Sequence, residues 1–96
     1  MNMKEAYKQK VEAELDLAQA KLAEMQARVK TASLDTHNSY YEHVSELERK
    51  YDTAKVRLKE LGDASDTAWE HLKDGVENAW ESLSASIRDT TNKFKA

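Results

Sequence analysis

Apolar residues recur along the first two thirds of the chain in two long series. The first is Val11, Leu15, Ala18, Leu22, Met25, Val29 and Ala32; the second is Tyr40, Val44, Leu47, Tyr51, Ala54, Leu58 and Leu61. Both advance in alternating steps of four and three. That spacing is a heptad seam, the narrow stripe by which helices wind against one another, rather than a broad globular face. Lys10, Glu14, Lys21, Arg28, Glu48, Lys50 and Lys55 fall off the stripe, where solvated flanks belong.

The last third follows a different period. Trp69-Glu70-His71-Leu72 and Trp80-Glu81-Ser82-Leu83 are one phrase repeated after eleven residues, and Val76 with Ile87 and Leu83 with Phe94 keep the same interval. Eleven residues make three turns at about 3.67 per turn, so this helix runs nearly straight. Its apolar face carries Trp69, Leu72, Val76, Trp80, Leu83, Ile87 and Phe94.

These patterns predict three helical segments in a single domain 1–96, over about 4–34, 38–61 and 65–94, and an all-α bundle of antiparallel coiled-coil type. The turn between the second and third segments is marked by Leu61-Gly62-Asp63-Ala64-Ser65-Asp66. Gly62 suits a C′ position at positive φ. Asp63, Ser65, Asp66 or Thr67 offers an N-cap, and Thr67-x-x-Glu70 has the capping-box form.

The first boundary is ambiguous. Residues 31–39 are mostly Thr, Ser, Asp, His and Asn, which favour caps and turns and so predict a loop. Yet no Gly or Pro interrupts them, and the two seams are nearly in phase. Val29 and Tyr40 are eleven residues apart, so one unbroken helix from residue 4 to 61, roughly 90 Å long, is the competing expectation. Such a helix would leave half its seam uncovered, and two-fold pairing with a second copy would cover it. Tyr40 and Tyr51 on the seam suit a bundle or a higher-order contact better than a narrow two-stranded zipper. Gly75, inside the third segment, costs about 1 kcal/mol relative to Ala, which close approach of a neighbouring backbone or a slight hinge would explain.

Composition agrees with the pattern. Ala, Glu, Lys, Leu and Arg make up half of the 96 residues, while Cys and Pro are absent and Gly occurs twice. A disulfide scaffold, a thiolate zinc site, a cysteine nucleophile and a turn-rich β fold are thereby excluded. The net charge of −3 is spread with mixed signs, so no basic face exists for nucleic acid. Met1-Asn2-Met3-Lys4-Glu5 shows no apolar leader, and no apolar run is long enough to span a bilayer. The expectation is a cytoplasmic protein.

Little in the chain suggests chemistry. His37 and His43 are six residues apart and His71 is remote; no Glu-x-x-His or His-x-x-x-His occurs, so no metal or cofactor is expected. A haem or metal site using these histidines is the least favoured of the readings. Glu42 with Glu46, and Glu77 with Glu81, share helix faces, the usual arrangement of a solvated surface rather than of a catalytic pair. No nucleophile elbow or Gly-rich phosphate loop is present, and an enzyme is not expected.

The Trp-Glu-x-Leu repeat, within Ala68-Trp69-Glu70-x-Leu72-Lys73-x-Gly75-Val76-Glu77-x-Ala79-Trp80-x-x-Leu83, resembles the C-terminal helix of small bacterial coiled-coil-domain proteins of uncharacterised role. The upstream heptads are similar to theirs in style; the polar stretch 31–39 departs from their Ala- and Lys-rich equivalent. The resemblance implies an all-helical, non-enzymatic protein and brings no activity with it.

Two functions compete. One is a structural or interaction protein that self-associates, most simply as a dimer, or binds a protein partner. Its face would comprise Leu15, Leu22, Met25, Val29, Tyr40, Val44, Leu47, Tyr51, Leu58, Trp69, Leu72, Val76, Trp80, Leu83 and Ile87. The other is a lipid-surface or stress-protective protein acting through the amphipathic stretch 67–94. The net charge of −2 over residues 64–96 disfavours anionic membranes, and core packing is the favoured role of the two tryptophans.

Overall fold

The computed structural model describes residues 2–31 and 34–93, with residues 34–36 described by their backbone alone. The described residues form three helices: α1 (Met3–Thr31), α2 (Leu34–Asp63) and α3 (Trp69–Lys93). Helix α1 runs against α2, since Lys4 reaches Gly62 and Ala64 while Gln26 bonds Glu48. Helix α3 turns back again, so that Lys50 of α2 bonds Ser86 and Tyr7 of α1 meets Trp69. The result is an up-down-up three-helix bundle with α2 in extended contact with both neighbours and α1 meeting α3 more sparingly.

The continuous helix over 4–61 is therefore overturned. The molecule measures 51 × 19 × 18 Å, close to the roughly 45 Å of a 30-residue helix and about half of what one long helix requires. Its radius of gyration of 15.4 Å exceeds the roughly 12–13 Å of a rounded domain of this length, as a short rod should. The alternative, a loop through 31–39, is also corrected. Helix α1 persists to Thr31 and α2 is helical from Leu34, leaving 32 and 33 outside the described residues. Weak local propensity over 34–39 is overridden because Tyr40 and Val44, one turn further on, are buried against the other helices.

Both seams face inward. Val11, Leu15, Ala18, Leu22 and Met25 of α1 are buried, as are Tyr40, Val44, Leu47, Ala54, Leu58 and Leu61 of α2 and Trp69, Val76 and Leu83 of α3. The seam ends Ala32 and Phe94 lie outside the described residues. Thr90 is also buried. It stands seven residues after Leu83 and so continues the third stripe as its one polar member.

The helix ends use different devices from those expected. Asn2 caps α1: its side-chain oxygen accepts the Glu5 N–H at 2.8 Å, and its carbonyl accepts the Ala6 N–H at 3.1 Å. At the second turn, no described residue has positive φ, Gly62 included, and α2 continues through Gly62 to Asp63. A left-handed cap is unnecessary because Lys4, from the start of α1, donates to the carbonyls of Ala64 at 2.9 Å and Gly62 at 3.4 Å. A Cβ at Gly62 would lie 3.2 Å from Lys8 Cε, the far end of a flexible side chain that needs to give by only a few tenths of an ångström. The cap before α3 is Ser65, not Thr67. Ser65 Oγ accepts the Ala68 N–H at 3.2 Å, and its carbonyl accepts the N–H groups of Ala68 and Trp69.

Gly75 has no close neighbour: a Cβ built there meets nothing within 4 Å. Close backbone approach is thus not its role, and alanine fits. Gly75→Ala is expected to stabilise the protein by about 1 kcal/mol. Thermal unfolding followed by circular dichroism should show a melting temperature raised by about 4–8 °C for a domain of this size; a lowered one would contradict the open space seen here.

Candidate functional site

The residues expected to form an interaction face fall into two groups. Leu15, Leu22, Met25, Tyr40, Val44, Leu47, Leu58, Trp69, Val76 and Leu83 are buried; Val29, Tyr51, Leu72, Trp80 and Ile87 are partly buried and packed against them. Together they form the chain's own core. Their area is consumed within one molecule, so a partner could reach the buried members only by opening the bundle. The premise of an uncovered half-seam, from which dimerisation followed, is gone.

At the end where α1 begins and α3 begins, polar and aromatic groups interlock. The Tyr7 and Trp69 rings lie 5.9 Å apart and tilted by 36°, and Lys73 Nζ stands 5.1 Å from the centre of the Tyr7 ring. The Tyr7 hydroxyl donates to Glu77 Oε1 at 3.4 Å. Burial, followed by the nearby Glu77 carboxylate, pushes the Tyr7 phenol up to about 12. The folded state thus favours the neutral phenol. That contribution to stability is complete below pH 10 and is lost as the pH rises toward 12. Spectrophotometric titration should show a tyrosine ionising near pH 12, and Tyr7→Phe should remove that step; its persistence in the variant would assign it elsewhere. The Tyr40 phenol is also raised, chiefly by burial, with Arg28 pulling it down and Glu24 pushing it up.

The histidines do not converge. His37 stacks on Tyr41 one turn along α2, with centroids 6.4 Å apart and planes within 7°. His43 Nε2 lies 3.3 Å from Lys93 Nζ, and His71 is exposed near the start of α3, toward the opposite end of the bundle. Among the described residues no group of three or more His, Asp or Glu side chains is placed to hold a metal ion. Of the carboxylate pairs, Glu46 meets Lys50 at 3.8 Å one turn along α2, and Glu77 of α3 accepts from Tyr7 of α1.

Between α1 and α2 runs a groove of about 360 Å³ floored by Leu15, Tyr51 and Leu58. Its rim alternates in sign, with Lys8, Lys55 and Lys59 facing Glu12, Asp16 and Asp63. Lys8 pairs with Glu12 at 3.7 Å, and Lys55 Nζ lies 5.5 Å from the Tyr51 ring centre. A rim of balanced charge, already paired in part, selects no anion and no cation.

The surface features that sequence patterning did not single out are exposed apolar residues. Leu17 is 75% exposed, Tyr41 57% and Val56 56%. They stand off the seams, where isolated apolar residues are ordinary until the covering helices are known.

No family model, no curated protein and no solved structure matches the chain. The likeness to coiled-coil-domain proteins accordingly rests on the Trp-Glu-x-Leu repeat alone. Among the described residues, no helix is long and apolar enough to cross a membrane.

Proposed function

We propose that this chain is a non-enzymatic interaction module that acts by association, with a second copy of itself or with a protein partner, through the outer surface of a preformed three-helix rod. The observation that carries this reading is the closure of all three apolar stripes on one another within a single chain. What remains outside is a charged exterior on which Met3, Leu17, Tyr41 and Val56 are the exposed large apolar residues, and association has to use that surface. The polar groups that do converge, Lys4, Tyr7, Lys73 and Glu77, hold helix ends in place. Burial of Trp69 and Val76 weighs against the lipid-surface reading, because α3 would have to leave the bundle to present them.

Sedimentation equilibrium over a wide concentration range tests the self-association branch. The expected result is a mass that rises reversibly with concentration from that of one chain toward that of two. A single-chain mass at every concentration would leave only a different protein as partner.

A further inference from the structure

Helix α3 is held by two unlike halves. Its inner stripe reads Trp69, Val76, Leu83 and then Thr90, so the series keeps its step of seven and its burial but loses its apolar character at the last member. From Ser84 to Lys93 the chain offers one large apolar residue, Ile87, and that side chain is only partly buried. Ser84, Ser86, Asp89, Thr90, Thr91 and Asn92, all mediocre formers of a helix interior, make up most of the rest.

Polar groups hold this second half in place. Lys50 of α2 bonds Ser86, and Lys93 Nζ stands 3.3 Å from His43 Nε2. The first tie is only part-buried and the second is exposed, so water can replace either at little net loss. Thr91 Oγ1 is buried and finds no hydrogen-bond partner among the described residues. It gains one from water whenever the segment lifts, which favours the open form. The first half has no such weakness. Trp69 packs on Tyr7, Ser65 caps the start of the helix, and the fully buried Leu83 closes the apolar part of the stripe.

We propose that residues 84–93 open as one unit, lifting off α2 with Leu83 as the last docked residue, while 69–83 stay in the bundle. The two ties fix what lies beneath. They set 86–93 of α3 antiparallel against 43–50 of α2, so the core residues uncovered are Val44 and Leu47, both buried in the closed form. Leu47 lines the same recess as Ser86 and Thr90. The opening is independent of whether the rod associates. It bares one short stretch of the core without unfolding the rest, a cooperative unit smaller than the domain.

Hydrogen exchange and thiol labelling of the full chain test this. The amides of 88–93 are expected to exchange on the order of a hundredfold faster than those of 76–83, with one shared protection factor that depends little on urea. Protection that instead decays residue by residue and is lost only in the last turn is ordinary fraying, and would overturn the proposal. Thr91→Val keeps the side-chain shape and removes the orphan hydroxyl, so it should slow exchange over 88–93 several-fold; unchanged or faster exchange there would contradict the account. Val76→Ala should speed exchange over 76–83 and leave 88–93 unchanged, because Val76 stays docked in the open form. Equal acceleration of both would mean that α3 opens as a whole. The chain has no cysteine, so Val44→Cys and Val76→Cys each introduce a single buried thiol. The first is expected to be labelled on the order of tenfold faster than the second, and equal rates would overturn the proposal.

Discussion

Leu83→Ala is expected to lower the unfolding free energy by about 2–5 kcal/mol, and Leu61→Ala by a similar amount. Both side chains are completely buried at 0% exposure, Leu61 near the end of α2 and Leu83 in the middle of α3. Each truncation removes apolar contacts and leaves a void that rigid helices fill only in part. A small domain has about 5–15 kcal/mol in total, so either loss is a large fraction of it. Urea unfolding should show a lower midpoint with an unchanged slope. Midpoints equal to that of the wild type would mean that the stripes are not where the bundle is held.

Trp69→Ala is expected to cost about 3–5 kcal/mol, the largest single effect at the end where α1 and α3 meet. Trp69 is 6% exposed, packs against Tyr7 and opens α3, so its loss unseats both the aromatic contact and the start of the helix. Trp80 is only partly buried, and the two indoles therefore differ. In Trp80→Phe the remaining Trp69 should emit in the blue without lipid and fail to respond to neutral vesicles. Red emission in buffer that shifts blue on adding vesicles would instead favour α3 as a lipid-binding element.

The fold was legible wherever side chains repeat at helical spacing. The four-and-three series placed five buried residues on α1, from Val11 to Met25, and the eleven-residue repeat placed Trp69, Val76 and Leu83 on the inner face of α3. Local rules failed where the deciding contact is distant in sequence. Gly62 has the local signature of a left-handed cap, but the group that satisfies the end of α2 is Lys4, some 58 residues away. Residues 34–39 read as a loop by propensity, yet they are helical because the adjoining Tyr40 and Val44 are buried against other elements. Thr90 is not marked by the period, because a hydroxyl residue on an apolar stripe looks like an interruption. Ser65 and Thr67 are equally good caps by composition, and only the path of the chain between α2 and α3 decides for Ser65.

The candidate surface was less legible than the fold, for a related reason. Seam residues announce themselves by period, whereas a docking face consists of what the seams leave over. Tyr41 and Val56 acquire meaning only once α1 and α3 are seen to leave them uncovered.

Small-angle scattering, extrapolated to zero concentration, tests most directly that the three stripes close within one chain. The folded-back bundle predicts the mass of one chain, a radius of gyration close to 15.4 Å and a longest dimension near 51 Å. An interlocked rod of roughly 90 Å with the mass of two chains, persisting at the lowest concentration, would contradict it.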